Sequence, residues 1–320
     1  MNILRMFAAG MVAGAGLVSC MAAQAAWPAD HPMTLVVPFP PGGATDIVGR
    51  TLAEALGKEL HQSVIVDNRG GAGGTIGAAY VARAKSDGYT LFLATIAHTI
   101  APSIYETLSY DFEKDFAPIT LVASSPNMLI VNKDLPVNSV TDLIQYAKAH
   151  PGQVNFGSAG IGSIEHVSAE LFARTAKIDI RHVPYKGSGP MLTDLISGQI
   201  QMAMETSGAS IGQVRAHTVK VLGVSSAKPS REFPDIPAID ESGLPGYSSL
   251  TWYGLLAPAK TPAAVLDKLH QAAIAALQSP EMKQTLQSIG ADPGGDTSAQ
   301  FAAYIADQTK TWHQVLKGDK

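Results

Sequence analysis

The run Leu35-Val-Val-Pro-Phe-Pro-Pro-Gly-Gly-Ala-Thr-Asp46 limits the fold more than any other stretch of this 320-residue chain. An apolar, β-branched segment breaks on Pro-Pro-Gly-Gly. It passes at once into a helical spacing, with Ile47, Val48, Leu52, Leu56 and Leu60 on one side. The pattern reads as strand, tight turn, helix. The first N–H groups of such a helix have no partner within it, and the macrodipole adds partial positive charge at that end. The turn is therefore a ready seat for an anion.

The same alternation continues along the chain and predicts an α/β fold with mostly parallel strands. Strands are expected at 34–39, 63–66, 89–94, 154–156, 181–184, 199–205 and 220–225, with helices at 45–60, 140–149 and 191–197. Residues 95–99 read as a loop. The run 119–131 is too long for one buried strand and is interrupted by Pro126, as a chain crossing between two domains would be. Residues 226–248 are rich in proline and glycine and read as an irregular connection, and 250–257 is a second crossing. Three helices, at 263–277, 280–289 and 298–315, close the chain. The strand, glycine turn and helix at 36–47 recur at 154–167, so each of two lobes holds one such turn.

Hydrophobic residues make up 46% of the chain and charged ones 16%, enough apolar material for a sizeable core. The net charge of −4 and the lack of any Lys/Arg run exclude a protein that grips nucleic acid by a basic surface. Arg5 is the sole charge before Asp30, and an apolar stretch from Met6 leads to Ala-Gln-Ala at 23–25. Residues 1–26 thus read as a signal peptide, and its apolar stretch from about Met6 to Val18 is too short to span a membrane. The one cysteine, Cys20, lies inside it. Leu17-Val-Ser-Cys20 also has the form of a lipobox, so a lipid-anchored product and a free periplasmic one both stand.

Chemistry-bearing patterns are few. Gly71-Ala-Gly-Gly-Thr-Ile-Gly77 carries its third glycine one residue late for a dinucleotide fingerprint, and no phosphate-loop lysine occurs. No G-x-S-x-G elbow or H-E-x-x-H helix is present, so neither a nucleophile–base pair nor a metal site is indicated. No cofactor is expected. Asp46 falls in the first turn of its helix. The dipole favours a carboxylate there, which could equally order the turn by accepting backbone N–H groups. His166, near a helix start, reads as a capping or surface residue. Ligands in open α/β sheets collect at the carboxyl ends of strands. Thr95 and His98 after the third strand, and Glu205, Thr206 and Ser207 after a later one, are the natural walls of a cleft.

Several motifs together resemble the substrate-binding proteins of tripartite tricarboxylate transporters, the Bug receptors. They are Val36-Val-Pro-Phe-Pro-Pro-Gly-Gly-Ala-Thr-Asp46, Asp67-Asn-Arg-Gly-Gly-Ala-Gly-Gly-Thr-Ile-Gly77, Ser86-Asp-Gly-Tyr-Thr-Leu91, Gly157-Ser-Ala-Gly-Ile-Gly-Ser163, His182-Val-Pro-Tyr-Lys-Gly187, Ser242-Gly-Leu-Pro-Gly246 and Trp252-Tyr-Gly-Leu-Leu-Ala-Pro258. The similarity runs over 27–320 in the family's order.

The resemblance implies a two-lobed periplasmic binding protein of type II-like α/β fold. Each lobe would be a mixed sheet flanked by helices, with the ligand in the cleft between lobes. Lobe 1 would be 27–122 plus 250–320, and lobe 2 would be 123–249. The implied function is a receptor, not an enzyme. It would bind a small carboxylate and, as a monomer, deliver it to a membrane permease of large and small subunits. A carboxylate would be held by the loops at Phe39, Pro40, Gly42, Gly43, Ala44, Thr45 and Asp46, and at Ser158, Ala159, Gly160, Gly162, Ser163 and His166. Thr95, His98, Glu205, Thr206 and Ser207 would face its distal end. Glu205 stands near a position that is often Asp or Asn in the family; turned inward, it would disfavour a second carboxylate there. A sensory partner of a membrane kinase and, further off, a secreted α/β hydrolase are the alternatives.

Overall fold

The computed structural model describes residues 27–28, 31–230 and 233–317. The expected signal peptide and Cys20 lie outside the described residues.

The first lobe opens as its sequence dictates. Strand β1 (Met33–Val37) ends in the Pro-Gly turn, and helix α1 (Ala44–Leu60) follows. Val48, Leu52 and Leu56 are buried, but Ile47 is 43% exposed. One residue is about 100° of helix, so Ile47 and Val48 cannot both lie at the centre of one buried stripe. Then come β2 (Val64–Asn68), a single 3-10 turn at Ala72–Gly74, α2 (Thr75–Ala82), β3 (Thr90–Thr95) and α3 (Ala97–Ile104). Residues 97–99, expected as loop, are the first turn of α3. Ile96, Ile100 and Ile104 recur four residues apart, and Pro102 is accommodated within the helix.

Strand β4 (Phe116–Asn132) is continuous for 17 residues, against the expectation that the run was too long. It is long because it serves two sheets. Residues 116–126 pair with β9 (Leu250–Pro258), 127–131 pair with β7 (Met202–Thr206), and 128–132 pair with β8 (Val219–Val224). Pro126, which has no N–H to donate, sits where the partners change.

The second lobe adds α4 (Val140–Ala149), β5 (Asn155–Ser158), α5 (Ile164–Ala176), β6 (Arg181–Pro184), α6 (Ser188–Ser197) and α7 (Ser207–Arg215). The sequence reading had no α7. Helices α8 (Ala263–Leu277) and α9 (Pro280–Ser288), the short β10 (Asp292–Pro293) and α10 (Ser298–Lys317) complete the described chain.

The strand path is β2-β1-β3-β9-β4-β7-β5-β6, with β8 and β10 also on β4. Strands β1, β2 and β3 run parallel, as do β5, β6 and β7. Strand β9 is antiparallel to both β3 and β4, and β4 is antiparallel to β7. The sheet is therefore mixed rather than mostly parallel. The reason is that chain crossing between lobes must run out on one strand and back beside it.

Along β4, Leu129 and Val131 enter one core of the second lobe and Met128 and Ile130 the other. Both faces of that strand are buried, so it reads as a continuous apolar run. A further core joins the lobes: Val167 of α5 packs in one cluster with Trp252, Trp312 and Val315. Beside it lies a buried polar knot. Asn127 Nδ2 donates to the Ser249 carbonyl (3.2 Å) and to Ser168 Oγ (3.4 Å), Asn127 N–H donates to Ser225 Oγ (2.8 Å), and Thr251 Oγ1 donates to Asn127 Oδ1 (3.3 Å).

Candidate functional site

The two glycine turns are built differently. In the first, Asp46 is buried and its carboxylate reaches back over the turn. Oδ2 accepts from Gly42 N–H (2.9 Å) and Arg50 Nε (3.0 Å), and Oδ1 accepts from Asn68 Nδ2 (2.8 Å), which also donates to the Phe39 carbonyl (3.0 Å). Burial pushes the Asp46 carboxyl up, but bonds from Arg50, Gly42 and Asn68 outweigh it and hold it below the usual range. Asp46 is thus the residue that orders the turn, and it takes the Gly42 N–H for itself. Pro40, Gly42, Gly43 and Ala44 stay exposed.

In the second turn, Gly160 N–H donates to Ser158 Oγ (3.2 Å), and Ser158 Oγ is 2.6 Å from His182 Nε2. Gly162 N–H donates to His166 Nδ1 (3.2 Å), and the His166 and His182 rings stack with centroids 4.1 Å apart. Ser163 caps α5, its Oγ accepting from His166 N–H. Burial, then His182, pushes the His166 pKa down to about 4, so the stack is neutral. Gly160 and Gly162 lie at φ +136° and +79°, where glycine is favoured.

A cavity of about 450 Å³ lies between the turns. Its first-lobe wall is Phe39, Thr45 and Gly73, with Thr95 and one face of α3 from Ile96 to Tyr105. Its second-lobe wall is the stretch from Ala159 to Glu165, and Thr251 and Tyr253 of β9 meet it from the junction. No Lys, Arg or His lines it among the described residues. An anion here must be met by backbone N–H groups and hydroxyls. Charged donors are not required for that, since N–H to carboxylate bonds are already charge-assisted.

Of the expected site residues, Phe39, Thr45, Thr95, Ala159, Gly160, Gly162 and Ser163 come together at this cavity. Ser158 and His166 stand behind the second turn and shape it. His98 is not a cleft wall. It is fully buried between Phe92 and Phe112, accepts Thr95 N–H at Nδ1 (3.0 Å) and faces the Gly74 carbonyl with Nε2 (3.4 Å). Burial pushes its pKa down to about 4. Ser207 is buried too, and its hydroxyl donates to the Pro126 carbonyl at 2.5 Å. Thr206 is drawn to its neighbour: its N–H (2.6 Å) and hydroxyl (2.9 Å) both donate to Glu205 Oε1. Glu205 is completely buried and lies behind Glu165, which does line the cavity.

The sequence reading missed the α3 wall, Gly73, Ile161, Glu165, Thr251 and Tyr253. The spacing of Ile96, Ile100 and Ile104 was a usable signal for the first. Nothing local marks the others. The motif at Gly71–Gly77 is explained by close approach: a Cβ on Gly77 would lie 3.0 Å from the Arg69 carbonyl oxygen, and one on Gly74 3.0 Å from His98 Nε2.

Comparison with known proteins agrees with this geometry. The family described as the tripartite tricarboxylate transporter family receptor matches residues 48–319. Protein BugT of Bordetella pertussis is 35% identical over 321 residues, covering 99% of this chain and 98% of BugT. Among solved structures, an R. palustris protein with adipate has a TM-score of 0.75 at 38% identity, covering 91% of this chain and 98% of its own. MatC from Rhodopseudomonas palustris with bound malate has a TM-score of 0.73 at 31% identity, covering 90% and 99%. The chain belongs to the tripartite tricarboxylate transporter receptor family, whose members are periplasmic solute receptors with carboxylate ligands and not enzymes.

Proposed function

We propose that this protein captures a small carboxylate in the periplasm and hands it to a membrane permease of one large and one small subunit, acting as a monomer. Export would use residues 1–26, and Cys20 remains the one position at which a lipid anchor could be attached. Lobe 1 is drawn from 27–122 and 250–320, and lobe 2 from 123–249. The change of partners along β4 supports that division.

The observation that carries the reading is the cavity itself. Its opposite sides are Phe39 and Thr45, which flank the first glycine turn, and the second glycine turn itself, each turn leading into a helix N-terminus, and apart from Glu165 its walls are apolar or hydroxyl-bearing. One carboxylate held by both turns would favour the closed arrangement, because only there do both sets of N–H groups reach it. Phe39, Pro40, Gly42, Gly43, Ala44, Thr45 and the 158–163 loop form the proximal seat, with Thr95 toward the distal end.

A thermal-shift screen of carboxylates tests this. A ligand at about 100 times its Kd adds roughly 2.7 kcal/mol to stability, which is readily seen as a raised Tm. If no acid in a broad panel raises the Tm, the carboxylate assignment falls.

A further inference from the structure

Among the described residues, Glu165 is the one carboxyl-bearing side chain on the cavity wall, and it is second in the helix that follows the second glycine turn. It is 5% exposed, and behind it Glu205 is 0% exposed. The two carboxyls are near enough to perturb one another. Glu205 Oε1 is satisfied by Thr206, but Glu205 Oε2 is buried with no donor from the described residues. Two ionised carboxylates cannot sit side by side in so dry a place, so the pair shares a proton. Burial first, and then Glu165, pushes Glu205 up to about 7, and burial also raises Glu165. Of the two acids, Glu165 is the one that lines the cavity, so the negative charge the pair retains acts on a ligand through it.

That charge has no counter-ion on the wall. The other polar side chains lining the cavity are Thr45, Thr95, Tyr105, Ser163, Thr251 and Tyr253, all hydroxyls, and no cation lines it among the described residues. A ligand bearing two carboxylates would bring one of them against an uncompensated acid, with like charges at low dielectric. A ligand bearing a carboxylate and an ammonium group would bring the missing counter-ion with it.

Building on the carboxylate-receptor reading above, we propose that Glu165, backed by Glu205, is the specificity residue of this receptor. It selects amino-bearing monocarboxylates and rejects dicarboxylates of the same length. The solved relatives with adipate and malate take dicarboxylates, so this chain would differ from them by ligand class at one wall position.

The test is a matched panel read by thermal shift and titration calorimetry: straight-chain monocarboxylates, α- and ω-amino acids and α,ω-dicarboxylates of about three to eight carbons, sizes suited to a small-ligand cleft. An amino-bearing acid should rank first, at least about tenfold tighter than the dicarboxylate of equal length. Glu165→Gln should bring that ratio to within about threefold and improve dicarboxylate binding, since the repelling charge is gone. The proposal is overturned if a dicarboxylate or a plain monocarboxylate ranks first in the unaltered protein. It is equally overturned if a folded Glu165→Gln protein keeps the original order. The ranking by the unaltered protein decides even if that variant does not fold. If no acid of any class binds, the carboxylate reading itself fails and takes this proposal with it. If acids bind in the wrong order, this proposal alone fails.

Discussion

Asp46 Oδ2 accepts the Gly42 N–H at 2.9 Å, so the first acid of helix α1 occupies part of the very turn that precedes it. Its other bonds come from Arg50 and Asn68, which ties the turn to both α1 and β2. Asp46→Ala should cost about 1.5–3 kcal/mol, the usual net worth of a hydrogen bond to a charged group, and should weaken carboxylate binding as the turn loosens. Chemical denaturation and a ligand titration on the same variant check both effects. Unchanged affinity would detach Asp46 from the seat.

The lobes touch where a Cβ on Gly162 would lie 2.1 Å from Ile104 Cδ1. Gly162→Val should therefore prop the cleft open and weaken binding by about 1–3 kcal/mol, the usual cost of overpacking. Gly43 is a useful contrast. It has φ −84° and nothing within 4 Å of an added Cβ, so Gly43→Ala should fold as well as the parent. Melting curves and calorimetric Kd values for the two variants separate folding from closure.

Two buried groups give stability opposite pH slopes. His98 is held neutral, its pKa depressed from 6.5 to about 4, so the folded state binds fewer protons there than the unfolded state. Stability on its account is lost as pH falls from about 6.5 toward 4, by at most about 3 kcal/mol. Glu205 is raised from 4.5 to about 7, so its contribution is full at low pH and is lost as pH rises through that range. Urea unfolding across pH 4–8 should find His98→Gln flatter on the acid side and Glu205→Gln flatter on the neutral side, ranges that follow from the two shifts.

Asn127 joins both crossings, and each of its polar side-chain atoms is spent on the knot. Replacing it by Leu leaves the Thr251 hydroxyl short of a partner from Asn127, while Ser249 O keeps its bond from Ser225 Oγ. The expected loss is about 1–3 kcal/mol, the cost of removing one partner from buried polar groups. Differential scanning calorimetry measures it; a shift near zero would mean that water enters and replaces the side chain.

The fold was legible wherever one rule decided the outcome. Helices α4 and α8 lie where apolar spacing, a Ser139 cap and flanking Pro or Gly all agreed. Helix α7 was not legible, because Ser207-Gly-Ala-Ser-Ile-Gly is weak helix-forming sequence held by its place beside β4 and β8. Strand β4 is longer than its sequence suggests because length is evidence against a strand only when one sheet must hold it. At the site, the glycine turns were readable from local chemistry, since positive φ and helix starts are local properties. The direction of His98, Glu205 and Ser207 was not, because it depends on which neighbour lies across the sheet. Glu165 went unnoticed for a related reason: an acid in the first helical turn has a sufficient local explanation in the dipole.

The 17-residue β4 changes what lobe closure can be. A flexible tether would let the halves swing freely, but here one unbroken strand is shared, with β9 alongside it. Closure must then act as torsion in a two-strand beam, stiffened where Trp312 and Val167 meet across the halves. Any rotation of one half against the other must therefore twist β4 and β9 together, and the two turns that face the cavity move as their ends do.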